Sequence, residues 1–126
     1  MDVQQYIDYW RQSSQDDLEA AEALFNNRKF SQALFFTHLS VEKILKAHLA
    51  KITRTVPPRI HDLLRLAHLA GLPISALQRT FLARLQRYCL EGRYPDFKLL
   101  SPSEDVAKNL IHEARTICLW LANQLK

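Results

Sequence analysis

Two glycines and five prolines among 126 residues leave this chain poor in turn-forming residues. An all-β sandwich, which turns every few residues, is therefore a poor fit. The same scarcity excludes a glycine-rich phosphate loop. Cysteine is equally sparse: Cys89 and Cys118 stand 29 positions apart and form no CxxC pair. In a reducing compartment such residues behave as small buried hydrophobes, and neither is assigned a redox role. No apolar run reaches the roughly 18 residues that cross a bilayer. The opening Met1-Asp2-Val3-Gln4-Gln5 is neither basic nor followed by an apolar stretch, unlike a secretory leader, so a cytoplasmic protein is expected. HExxH-type spacing is absent. His38 and Glu42 lie four apart, but two ligands do not define a site, so neither a metal nor another cofactor is expected.

What the chain does have is the mixture of a folded protein: 48% apolar and 24% charged residues. Its length suits one domain spanning residues 1–126. The net charge of +4 conceals an uneven distribution: residues 1–30 carry −3, residues 31–98 carry +7, and the remainder balances. Such a basic middle attracts a nucleotide, RNA or an acidic protein surface, or is simply a solvated face.

Apolar spacing predicts five helices. The first, over residues 3–27, sets Ile7, Trp10, Leu18, Ala21, Leu24 and Phe25 at helical separations with acids between them. Asn26-Asn27-Arg28-Lys29 breaks it, since Asn tolerates the left-handed conformation. The second, over 30–53, is apolar nearly all round and predicts a central helix with partners on every side. Pro57-Pro58 stops it. A third begins at His61 or Asp62 and closes at Gly71. A fourth, capped by Ser75, runs to about residue 91, with Gly92 ending it. For the last helix Ser101 is the expected cap, Pro102 the first helical position and Glu104 the capping-box partner. The fold class is therefore all-α, an up-and-down bundle of about five helices.

Three constellations can carry chemistry. Glu42 and Lys46 have the favourable i, i+4 order of a helical ion pair, and Lys43 lies beside them. The pair is either an exposed structural one or a buried feature of a site or interface. In His61-Asp62, Asp62 suits a helix cap with His61 bonding back across the loop; as a functional group, His61 would instead transfer protons. Arg93-Tyr94-Pro95-Asp96 joins a phosphate-binding side chain to an aromatic ring that can stack, with Asp96 as its internal partner. On the fourth helix Arg84 and Arg87 share a face and Arg79 lies elsewhere.

The stretch Val41-Glu42-Lys43-Ile44-Leu45-Lys46-Ala47, followed by His61-Asp62-Leu63-Leu64 and then Arg93-Tyr94-Pro95-Asp96, resembles the HEPN family. The resemblance covers nearly the whole chain, from Trp10 and Asp17-Leu18 to the final helix. It implies a helical bundle that pairs into homodimers, associated with nucleotides, with minimal nucleotidyltransferase partners and, in some branches, with RNA cleavage. Catalytic members carry an Arg followed four to six residues on by a His. Here no His follows Arg93 before His112. The resemblance thus implies a non-catalytic member with Glu42, Lys43, Lys46, His61, Arg93, Tyr94 and Asp96 as ligand-binding candidates. The alternatives are a ribonuclease toxin with a diverged centre of His61, Arg93 and Asp96, and a structural dimerisation module.

Overall fold

The computed structural model describes residues 2–89 and 102–125. Among them are five helices and no strand: α1 (Val3–Asn26), α2 (Phe30–Thr53), α3 (Leu63–Leu69), α4 (Ala76–Gln86) and α5 (Glu104–Asn123). The all-helical class and the order of elements agree with the sequence. α2 has the predicted bounds.

α2 is also the central element, touching each of the other four helices. From Thr37 to Ala50 every residue is buried except Leu39 and Lys43, which are half-buried. A helix that is apolar on all sides can satisfy itself only in this position. The main core gathers Leu34, Val41, Ile44, Leu45 and Leu49 of α2 with Leu66 of α3, Leu82 of α4 and Leu110 and Leu121 of α5. A smaller cluster of Ile7, Ala47 and Ala50 closes the end where α1 begins. The α1–α2 crossing is close because small residues meet there. The hydroxyl of Ser14 donates to the Ser40 carbonyl at 2.7 Å, and that of Ser40 returns a bond to the Ser14 carbonyl at 2.7 Å.

Helix ends follow local chemistry, with three departures from expectation. Asp2 and Gln5 form a reciprocal capping box that starts α1. Its exit uses Arg28, not an asparagine, as the left-handed residue (φ 60°). Asn27 keeps an ordinary φ and donates its side-chain amide to the Ala23 carbonyl. Ser75 and Gln78 form the second capping box, as anticipated, but α4 stops at Gln86 and not near residue 91. There the N–H groups of Tyr88 and Cys89 bond three residues back, to Leu85 and Gln86, which tightens the chain into a turn. α5 is capped by Ser103, whose hydroxyl accepts from the Val106 N–H, and not by Ser101, which lies outside the described residues. Pro102 consequently precedes the cap. The later start puts both Glu104 and Asp105 in the first turn, where the helix dipole favours negative charge. Gly71 closes α3 at φ +66°, a conformation that glycine adopts without strain.

Candidate functional site

His38, Glu42 and Lys46 are successive i, i+4 positions of α2, so they stack along one side of a helix that is otherwise apolar. Glu42 is the hub. One carboxylate oxygen accepts from Lys46 Nζ at 2.9 Å and the other from His61 Nδ1 at 3.0 Å. The side chains of Glu42 and Lys46 are only 4% and 7% exposed, so the pair is the buried one of the two sequence alternatives. Lys46 also lies over the Trp10 ring, 5.4 Å from its centroid, which supplies a second favourable contact for a charge removed from water.

His61 comes from the loop between α2 and α3 and retains 40% side-chain exposure. Its neighbour Asp62 caps α3 by accepting the Arg65 N–H, so the His-Asp pair splits into one bond back to α2 and one bond forward to α3. The backbone carbonyl of His61 lies 3.1 Å from Nε2 of His38. Gln86 completes the arrangement: its side-chain oxygen accepts the Leu63 N–H at 2.8 Å and sits 3.4 Å from the same His38 nitrogen. With two acceptors at Nε2, His38 holds its proton there. Nδ1 then faces Glu42 at 3.8 Å with a lone pair and makes no hydrogen bond. Burial holds the His38 pKa below its ordinary value, with the Glu42 charge opposing that shift, which is consistent with a neutral ring.

Of the residues expected from sequence, the fold brings Glu42, Lys46 and His61 together. Lys43 is not among them. It points toward α1, where Nζ donates to the Ser13 hydroxyl at 2.8 Å and pairs with Asp17 at 2.6 Å. Arg93, Tyr94 and Asp96 lie outside the described residues. Three partners were missed. His38 was weighed only as a metal ligand, although its spacing from Glu42 was visible. Gln86 and Trp10 carry no local signal, because their roles depend on where α4 and α1 cross α2. Among the described residues no three His, Cys, Asp or Glu side chains converge as a metal site would require.

Two other buried polar groups act as ties. His48 Nε2 meets the Leu121 carbonyl at 2.7 Å, linking α2 to α5, and burial lowers its pKa. The thiol of Cys118 lies 3.6 Å from the Ser40 hydroxyl, and burial pushes its pKa up to about 11.

A family model described as the HEPN domain matches residues 7–125, which takes in every element named above. The chain belongs to the HEPN family. Among solved structures, the crystal structure of an archaeal HEPN homologue is similar to this HEPN chain with a TM-score of 0.73. The two are 24% identical over 95% of this chain and 98% of the other, a likeness of fold. No curated protein matches. No helix among the described residues is long and apolar enough to cross a membrane.

Proposed function

We propose that this HEPN domain is a non-catalytic binding module, working as a homodimer, that takes a phosphate-bearing ligand such as a nucleotide and serves as the helical partner of a separate minimal nucleotidyltransferase. The observation that carries this reading is the closed state of the buried Glu42–Lys46 pair. A general base needs a lone pair directed at a substrate, and a general acid needs a proton to give. Both oxygens of Glu42 are committed to Lys46 and His61, and His38 is fully buried. His61 keeps 40% side-chain exposure, and Glu42 orients its ring through Nδ1. This arrangement holds the α2–α3 loop in place and closes Glu42, Lys46 and His38, though not His61, to proton exchange with a ligand. The sequence supports the same reading, since no His follows Arg93 at the spacing of catalytic members.

Pairing is supported by α2 itself. Phe35, Phe36 and Leu39 in its first half stay only half-buried, an apolar surface suited to a second copy. Within this reading Arg93 and Tyr94 supply a cation and a ring to the edge of a nucleotide site, and the partner supplies the groups that do chemistry.

The test is the native mass of the protein purified gently from its own cells, followed by nucleotide-binding and RNA-cleavage assays. A stoichiometric nucleotidyltransferase, or nucleotide binding lost in Arg93→Ala, supports the proposal. RNA cleavage abolished by Arg93→Ala sinks it in favour of a diverged ribonuclease. A bare dimer that binds nothing leaves the structural module.

A further inference from the structure

From Lys43 to Cys89 the chain contains a single carboxylate, Asp62, against nine lysines and arginines. Four of the nine, Arg65, Arg79, Arg84 and Arg87, are exposed on or directly after α3 and α4. α3 and α4 pack against each other and against α2, with Leu63, Leu66 and Ala67 of α3 and Phe81, Leu82 and Leu85 of α4 buried. Arg65 is turned outward on α3, Arg79 and Arg84 are exposed on α4, and Arg87 is exposed at its C-cap. At about 100° per residue, the three arginines of α4 fall within an arc of about 140° opposite its buried side. Arg79 therefore shares the exposed face with Arg84 and Arg87, contrary to the sequence reading.

Elsewhere in the molecule, cations near acids pair with them: Arg28 with Glu104, Lys43 with Asp17 and Arg115 with Glu22. Among the described residues Arg65, Arg79 and Arg84 have no carboxylate partner. The positions between them on α4 are Ala76, Thr80 and Ala83, small side chains that let a strand approach the helix. Two exposed leucines border the arginines: Leu69, four residues after Arg65 on α3, and Leu77, seven residues before Arg84 on α4. Leu77 also lines a hollow shared with Trp120 of α5.

We infer that the outer face of α3 and α4 is a docking strip for the phosphodiester backbone of a nucleic acid strand. Two features favour this ligand over an acidic protein. The cations are arginines, whose planar fork matches phosphate oxygens in pairs. α4 extends about 17 Å, long enough to follow several phosphates. Contacts of this kind read charge and not base sequence. The inference goes beyond the binding-module reading, adding an extended strip for a nucleic acid backbone to the nucleotide site proposed at Arg93 and Tyr94.

The experiment measures fluorescence anisotropy of labelled single-stranded RNA and DNA 20-mers with the full chain across a salt series. The triple variant Arg65→Gln, Arg79→Gln, Arg84→Gln is compared with an equal charge change elsewhere, Arg11→Gln, Lys29→Gln, Lys108→Gln. All six positions lie at the surface or half-exposed, and thermal melts check that both variants fold. The expected result is binding that weakens with salt. The α3–α4 triple should lose roughly tenfold or more in affinity at low salt and about 2 units of the log–log salt slope, while the control triple keeps the slope. Absence of binding by the unsubstituted chain overturns the inference, as do equal losses in both triples. So does a poly-glutamate chain that displaces RNA as well as an equally charged nucleic acid does. RNA bound well and DNA poorly assigns the strip to RNA; equal binding assigns it to the shared backbone. Cleavage of the RNA overturns the non-catalytic reading, and the DNA arm still decides whether the arginine face binds.

Discussion

Two sets of charged side chains on packed helices follow opposite rules. In the interior, Glu42, Lys46 and His61 are joined at 2.9 and 3.0 Å, with His38 and Gln86 behind them. On the outer sides of α3 and α4, Arg65, Arg79 and Arg84 have no carboxylate partner among the described residues. The difference teaches where function can reside. A buried charge survives only when its bonding capacity is filled, which removes it from use by a ligand. An exposed guanidinium is solvated by water and can exchange that water for phosphate. Glu42, Lys46 and His61 therefore hold the fold together, while Arg65, Arg79 and Arg84 keep their bonding capacity toward solvent.

The sharpest way to break this contrast is Glu42→Ala, which strands Lys46 in the interior. It should lower stability by about 3–5 kcal/mol in urea unfolding. Glu42→Leu combined with Lys46→Met should cost far less, because no unpaired charge remains. Equal losses in the single and double variants would show that packing and not charge pairing dominates. Gln86→Leu comes next: it leaves the Leu63 N–H without its acceptor, while His38 Nε2 keeps the His61 carbonyl, and should cost about 1–3 kcal/mol.

Acidification probes the same interior. His38 and His48 have folded-state pKa values below the ordinary histidine value, so the unfolded chain binds protons that the native chain refuses. Stability should be level above about pH 6.5 and fall as pH drops below it, and His48→Gln should make that fall shallower. Melting temperatures across pH 5 to 8, at constant ionic strength, check the sign. At the small end, Arg84→Gln should change stability by no more than about 0.5 kcal/mol, since nothing in the fold depends on it. Finally, Cys118 should resist alkylation by iodoacetamide at pH 8 until the chain is unfolded, because its thiol pKa is near 11.

Much of the architecture could be read from residue order. Apolar residues on every side of the 30–53 segment required a central helix, and Asp62, Ser75 and Gly71 marked boundaries by side-chain chemistry alone. Ser101 misled because Ser103 offers the same hydroxyl two residues later with two acids in the first turn. The early end of α4 was hidden because the periodic Leu85, Tyr88 and Cys89 continue a helical pattern through a turn. Within the site, Glu42, Lys46 and His61 were visible as motif residues, but Lys43 was indistinguishable from Lys46 until α1 claimed it through Asp17.

The sequence by itself determined an all-helical chain, its central helix, the N-caps of α3 and α4, a basic middle and the spacing that sets His38, Glu42 and Lys46 on one stripe. These follow from interactions within a few residues along the chain. Only the tertiary structure decided that Glu42 would be bonded by His61 from a loop, that Gln86 and Trp10 would complete its surroundings, and that Arg65 of α3 and Arg79 and Arg84 of α4 would all face outward. Those outcomes depend on how separate helices cross, and pairwise spacing along a chain does not encode a crossing.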